Sequence, residues 1–178
     1  MHIMLDLETL GTKPGCVVLS IGAVAFNPAG VGAEFYTVLD HADQVATGLV
    51  EDPDTVAWWA KQSPAARRVF DEEQTPLREG LQLFTAFCAG VASPGKLLVW
   101  GNGADFDNPI LRAVYDAAAL GAPWGKYNNR CYRTLKNLPL SCRPMHKPEV
   151  PHHALYDAKA QALNAVQYLN ELDPTGRW

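Results

Sequence analysis

Three short segments of the sequence combine acidic residues and histidine in a way that could perform chemistry. The residues are Asp6 and Glu8, then Asp107, and finally His152 five residues before Asp157. In a strand, residues i and i+2 point to the same face, so Asp6 and Glu8 leave that face together. Two adjacent carboxylates raise each other's pKa unless a cation neutralises them. The Asp6 and Glu8 pair therefore favours a metal site.

Each segment also has a purely structural explanation. Alternating charge is common on a solvated edge strand, although the apolar neighbours of the pair indicate a buried one: Ile3, Met4, Leu5, Leu7 and Leu10. Asp105 or Asp107 could instead cap a helix that begins at Asn108. Either His152 or His153 could be a surface residue, and Asp157 could stabilise a helix N-terminus. The combination and order of the three segments carry more weight than any one of them.

Hydrophobic periodicity predicts the elements that must position these residues. Strands are expected at residues 2–7, 17–26, 34–39 and 96–100. Helices are expected at 53–62, in a short piece opened by Ser63-Pro64, and at 76–92, 108–120, 132–138 and 154–172. The first three strands are joined by hairpins, and helices alternate with a strand afterwards. This order predicts an α/β fold in which helices pack on a mixed sheet.

Length, composition and charge exclude several classes of protein. The chain has 178 residues, which predicts a single domain over 1–178, and its 48% hydrophobic content excludes intrinsic disorder. No apolar run reaches the roughly 18–20 residues that cross a bilayer, and the N-terminal segment does not resemble a signal peptide. The four cysteines form no Cys-x-x-Cys pair, which argues against structural zinc. We therefore expect a soluble, cytoplasmic protein without membrane partners.

The three motifs together resemble those of the DEDD exonucleases, which have a ribonuclease H-like fold. The matching motifs are Asp6-Leu7-Glu8-Thr9, then Phe106-Asp107, and then His152-His153-Ala154-Leu155-Tyr156-Asp157. The variant is the histidine one (DEDDh), because the tyrosine variant would need Tyr where His153 stands. Segments 55–62, 100–111 and 130–135 are further similar to the compact phage and bacterial branch of 3′–5′ exoribonuclease-like proteins.

Two positions depart from the family pattern. Thr9-Leu10-Gly11 stands where many relatives have Thr-Thr-Gly. Gly103 occupies a position that is often Asn, and Asn102 is displaced from it by one residue. Neither departure removes an expected metal ligand, so both concern the substrate.

The resemblance implies a mixed sheet of three antiparallel N-terminal strands plus parallel strands, and a metal-dependent activity. Asp6, Glu8, Asp107 and Asp157 would hold two Mg²⁺ or Mn²⁺ ions, with Asp6 bridging both, because hard cations prefer oxygen ligands. His152 would be the general base, with His153 as its local competitor. The expected reaction is 3′–5′ hydrolysis of single-stranded RNA or DNA to 5′-mononucleotides, with RNA favoured. A DNA-specific exonuclease and a catalytically silent nucleic-acid-binding module are the alternatives.

Substrate contacts are predicted from basic and aromatic residues near the motifs. Residues 126–147 contain no Asp or Glu and six basic residues, Lys126, Arg130, Arg133, Lys136, Arg143 and Lys147, although an ordinary solvated loop would look the same. Adjacent helical residues diverge, so one of Trp58 and Trp59 is expected in the core and the other near substrate. The predicted substrate-binding set is Thr9, Leu10, Trp59, Asn102, Phe106, Arg130 and Arg133. The sequence does not decide whether the chain forms a homodimer.

Overall fold

A five-stranded mixed sheet forms the centre of the computed structural model, which describes residues 1–143 and 145–178. The strands are β1 (His2–Thr9), β2 (Val18–Asn27), β3 (Gly30–Val38), β4 (Leu98–Gly101) and β5 (Asn129–Cys131). Their order across the sheet is β3-β2-β1-β4-β5. The first three strands pair antiparallel, and β4 and β5 extend the sheet in parallel. The predicted α/β mixed sheet is confirmed.

Six α-helices accompany the sheet within the described residues. They are α1 (His41–Ala46), α2 (Pro53–Trp59), α3 (Leu77–Val91), α4 (Asp107–Ala117), α5 (Tyr132–Lys136) and α6 (Ala154–Leu172). The piece predicted from Ser63-Pro64 is a 3₁₀ helix at Ala66–Phe70, and the Ser63 hydroxyl accepts a hydrogen bond from the Ala66 amide. Two further 3₁₀ turns are Pro94–Lys96 and Lys126–Asn128. None of the described helices is both long enough and apolar enough to cross a bilayer.

The apolar core has two parts, one on each face of the sheet. One part joins Ile3, Leu5 and Leu7 of β1 to buried residues of α3 and α4. The other joins Met4 of β1 to α5 and to the buried alanines of α6. Because successive strand residues point to opposite faces, Asp6 and Glu8 continue the Met4 row and lie on the α6 side. The apolar alternation of β1 thus decides where its carboxylates emerge.

The N-terminus of α6 lies unusually close to the sheet. Gly22 of β2 pairs with Asp6 of β1, and a Cβ at Gly22 would overlap the backbone carbonyl of Ala154 and the amide of Leu155. Small residues on α6, Ala158 and Ala162, are fully buried against the sheet. The close approach brings the first turn of α6 over the end of β1.

We predict that Gly22→Ala lowers the free energy of unfolding by about 3 kcal/mol, because the added methyl must displace backbone rather than a mobile side chain. Gly32→Ala on β3 is the matched control, since its nearest neighbour would be the Ala25 carbonyl oxygen at 3.7 Å. The control should change the free energy by less than about 1 kcal/mol. Urea unfolding measures both, and equal stability of the two variants would contradict the close packing of α6.

Candidate active site

Three carboxylates converge where β1 ends and α6 begins. Asp6 and Glu8 come from the α6-facing row of β1, and Asp157 comes from the first turn of α6. Each residue offers an oxygen, and these three atoms lie within 4.8 Å of one another. The spacing is close enough for one cation to touch all three, and oxygen-only ligands suit hard divalent ions.

Asp107 forms the fourth corner of the cleft and is held rigidly. It is the first residue of α4 and only 1% exposed. Its Oδ1 accepts a hydrogen bond from the Leu7 amide at 3.2 Å, and its Oδ2 accepts one from the Asn102 amide at 2.7 Å. Gly101 makes room for it, since a Cβ there would lie 2.8 Å from Oδ2. The capping role considered for Asp107 does not apply, because Phe106 is the N-cap residue and makes no side-chain capping bond.

The acidic cluster is electrostatically unfavourable by itself. Burial, and then the neighbouring carboxylates, raise the pKa of Asp6 well above its usual range. Burial and the charge of Asp157 raise the pKa of Glu8 to about 8. Burial raises the pKa of Asp107 to about 6 despite its amide donors, and it also raises the pKa of Asp157. A divalent cation would remove the penalty, so the donor set fits a metal site.

The two adjacent histidines lie in different surroundings. His152 is exposed, has a left-handed backbone with φ of 61°, and lines the cleft with its ring edge-on to Trp58 at 4.9 Å between centroids. His153 packs between the rings of Tyr36 and Tyr156, at 4.6 and 4.3 Å. The backbone of His153 serves the cluster, because its amide donates to Asp157 Oδ2 at 3.2 Å. His152 is therefore the histidine available to a bound molecule.

The carboxylates lie in an open cleft of about 580 Å³. Five of the predicted substrate residues line it, namely Thr9, Trp59, Asn102, Phe106 and Arg133, although the Trp59 side chain is almost fully buried. Asp52, the N-cap residue of α2, also lines it, as do Asp54 and Trp58 within that helix. Beside the carboxylate cluster the cleft thus carries one cationic side chain, Arg133, and two further acids.

Three predicted substrate residues do not present a side chain to the cleft. Leu10 is 4% exposed and belongs to the core cluster, and its backbone is fixed by Val17, so it cannot wedge against a base. Trp59 borders the cleft but is 2% exposed, because its indole N–H donates to the Thr9 carbonyl at 2.8 Å and its ring packs against Phe70. Arg130 lies outside the cleft, and its guanidinium donates to the Tyr127 and Asn129 carbonyls.

Among the cleft residues outside the predicted site set are Trp58 and Gln161. Trp58, 41% exposed, is the accessible member of the tryptophan pair. Gln161 donates from Nε2 to Asp6 Oδ1 at 2.7 Å. A signal for Gln161 existed, because it follows Asp157 by four residues and so shares its helix face.

Comparison with solved structures identifies the fold class. The nuclease domain of 3′hExo, a DEDDh family member solved bound to rAMP, aligns with a TM-score of 0.61 at 13% identity, covering 95% of this chain and 91% of that one. Exonuclease X, solved in complex with 5′ overhanging duplex DNA, aligns with a TM-score of 0.55 at 17% identity, covering 100% and 94%. The fold is therefore the ribonuclease H-like fold of these exonucleases.

Comparison of sequences identifies the family. Residues 1–169 match the 3′–5′ exoribonuclease Rv2179c-like domain, and the chain belongs to that family. An exodeoxyribonuclease of Enterobacteria phage T4 is 28% identical over 120 residues, which are 61% of this chain and 52% of that protein. The chain thus spans about half the length of this curated relative.

We predict that Mg²⁺ raises the melting temperature more at about pH 8 than at about pH 6. Glu8, with a pKa of about 8, is half protonated at about pH 8 and almost fully protonated at about pH 6. Without metal, stability should fall as pH rises toward 8, because the folded protein keeps protons that an unfolded chain releases near pH 4.5. Thermal unfolding with Mg²⁺ and with chelator measures both trends.

Glu8→Gln is the control for this prediction. A neutral amide cannot titrate, so both the fall in chelator and the gain from Mg²⁺ should shrink. A Mg²⁺-induced rise that is equal at the two pH values would contradict proton competition at this cluster.

Proposed function

We propose that this chain is a metal-dependent 3′–5′ exonuclease that hydrolyses single-stranded nucleic acid to 5′-mononucleotides, within one domain over 1–178. The observation that carries the proposal is the convergence of three carboxylate oxygens within 4.8 Å in a cleft that Asp107 and His152 also line. Membership of the exoribonuclease-like family supports the reaction class. A silent binding module would have no need of four carboxylates in one cleft, two buried and two partly buried, because desolvating them costs folding free energy.

The carboxylates are proposed to hold two Mg²⁺ or Mn²⁺ ions. Asp6 would contribute to both positions, Glu8 and Asp157 to one, and Asp107 to the other. Such ions would activate the attacking water and neutralise charge on the leaving oxygen. Asp107 is suited to this task because two backbone amides fix both of its oxygens and leave it no rotamer freedom. The oxygens of Asp107 that would bind metal are then fixed before substrate binds.

His152 is proposed to take the proton from the attacking water. A general base must reach the reacting oxygen, and His152 is the exposed histidine beside the carboxylates. Trp58 packs edge-on to its ring and limits the directions in which the ring can turn. His153 has no such freedom between Tyr36 and Tyr156.

The charges that line the cleft suggest how a strand would lie. Arg133 is close enough to the acidic cluster to lower the pKa of Asp107, after the stronger effects of burial and of backbone hydrogen bonds, so its guanidinium can meet a phosphate next to the scissile bond. Asp52 and Asp54, which also line the cleft, would repel phosphates. Phosphates are therefore proposed to lie beside Arg133, while the exposed face of Trp58 offers a base a stacking partner.

RNA is the proposed substrate, and DNA is the second candidate. The family name supports RNA. The phage T4 relative is named an exodeoxyribonuclease, and its similarity supports the DNA candidate. RNA and DNA differ in the 2′-hydroxyl of every sugar and in uracil against thymine, so a direct comparison of matched strands is required.

The proposal is tested with 5′-labelled single-stranded RNA and DNA of one sequence, with Mg²⁺ or Mn²⁺ and with chelator. We expect a ladder of products that shortens by one nucleotide from the 3′ end, faster on RNA, and no products in chelator. A 3′-phosphate should block digestion. Cleavage of circular substrates, or full activity in chelator, would contradict a metal-dependent exonuclease.

We predict that His152→Ala lowers the single-turnover rate by about 10²–10⁴-fold, the usual cost of losing a general base. Metal binding should persist, since the carboxylates remain. His153→Ala is the matched control and should cost less than about tenfold in rate, with its main effect on stability through lost ring packing. A larger rate loss in His153→Ala would show that the wrong histidine has been assigned.

We predict that Arg133→Ala weakens strand binding and reduces the slope of log affinity against log salt by about 1. Arg130→Ala is the control, because Arg130 lies outside the cleft and is bonded to local carbonyls. Binding is measured in an Asp157→Asn background so that the strand is not consumed. Equal slopes for the two arginine variants would mean that Arg133 makes no phosphate contact.

A further inference from the structure

We propose that Gln161 is a positioning residue that orients the Asp6 carboxylate for divalent cations without being a ligand itself. The proposal rests on the proposed function, because it concerns the same cleft. Gln161 is 8% exposed and lines the cleft beside Asp6 and Asp157. Its Nε2 donates to Asp6 Oδ1 at 2.7 Å, a short hydrogen bond from a neutral amide to an acid.

The carboxylates of the cleft are held by different kinds of group. Asp107 accepts from the amides of Leu7 and Asn102, and Asp157 accepts from the amide of His153. These donors belong to the backbone. Asp6 instead accepts from the side chain of Gln161. The orientation of Asp6 thus depends on a side-chain donor. A substitution at Gln161 can remove this donor without altering the main chain.

The helix register explains why α6 can supply both groups. Asp157 and Gln161 are four residues apart and lie on one face of α6, one turn above the other. The same face therefore carries a carboxylate and an amide donor toward β1. With Oδ1 engaged by the amide, the Asp6 side chain has one orientation, and its remaining lone pairs are directed into the cleft.

The second amide atom of Gln161 fits the same arrangement. Its Oε1 is buried and has no hydrogen-bond partner among the described residues. A cation-bound Asp6 is ionised and only accepts hydrogen bonds, so it requires Nε2 rather than Oε1 beside it, and Nε2 is the atom that donates to it. An unpaired buried acceptor is costly, and a water in the loaded cleft would satisfy it. The amide is therefore already placed to donate to the form of Asp6 that binds a cation.

A purely structural role is the alternative, in which the Gln161–Asp6 bond only fastens α6 to β1. The two roles predict different measurements. A structural bond should affect stability in the absence of metal, whereas a positioning bond should affect the affinity for metal. Mn²⁺ alone is a sufficient probe, so neither substrate nor turnover is needed.

The experiment compares wild type, Gln161→Met and Gln167→Met. Met is nearly isosteric with Gln and has no donor, and Gln167 lies on the same helix with its amide 3.2 Å from His146 Nε2, outside the cleft. Mn²⁺ affinity is measured by calorimetry, and the melting temperature is measured in chelator. Gln161→Met should lose about 10–100-fold in Mn²⁺ affinity, the usual effect of removing a group that orients a ligand.

The control should bind Mn²⁺ as wild type does, and the melting temperature of Gln161→Met in chelator should stay within about 3 °C of wild type. Unchanged Mn²⁺ affinity would overturn the proposal, and so would a lower affinity accompanied by a larger fall in melting temperature. If Gln161→Met does not fold, Gln161→Asn, too short to reach Oδ1, replaces it with the same expectations. Absence of Mn²⁺ binding in wild type would instead refute the proposed function.

Discussion

The mutual repulsion of four buried or partly buried carboxylates is the constraint to which the rest of this structure responds. Burial raises the pKa of each carboxyl, and proximity adds to the effect for Asp6 and Glu8. The fold offsets part of this cost with amide donors to Asp107 and Asp157 and with Gln161 beside Asp6. These bonds leave a surplus of negative charge that bound protons or a cation must neutralise. Such a locally unfavourable cluster is typical of a functional site carried by a stable core.

The same period-2 pattern builds the core and the cluster. Residues 3, 5 and 7 of β1 fill one face of the sheet, and Met4 fills the other. Asp6 and Glu8 continue the Met4 row to the place where the first turns of α6 lie, so a shift of one residue would bury them against α3 and α4. Gly22 then lets α6 begin directly over this row. The residues that pack the core therefore also determine the geometry of the cleft.

Long elements with a clear hydrophobic period could be predicted from the sequence. Short elements that depend on tertiary contacts could not. Helix α6 has the predicted bounds because nineteen residues of apolar periodicity define its face. Helix α1 and strand β5 have six and three residues, too few for a period, and they form through contacts such as that of Gln44 with Val18. The sequence could not decide which of Trp58 and Trp59 is exposed for the same reason, since seven residues of α2 do not fix its phase.

On the proposed function, the placement of charge explains how an acidic protein acts on an acidic polymer. The net charge of −4 and the acids Asp52 and Asp54 of the cleft oppose the approach of a nucleic acid. Arg133 also lines the cleft, and without a cation the carboxylates there would repel a phosphate. On the proposed function, a cation lying between carboxylates and phosphate attracts both, so each ligand must strengthen the binding of the other. The affinity for a strand then resides in its last nucleotides, where the cations and Arg133 are, and a broad basic surface is unnecessary.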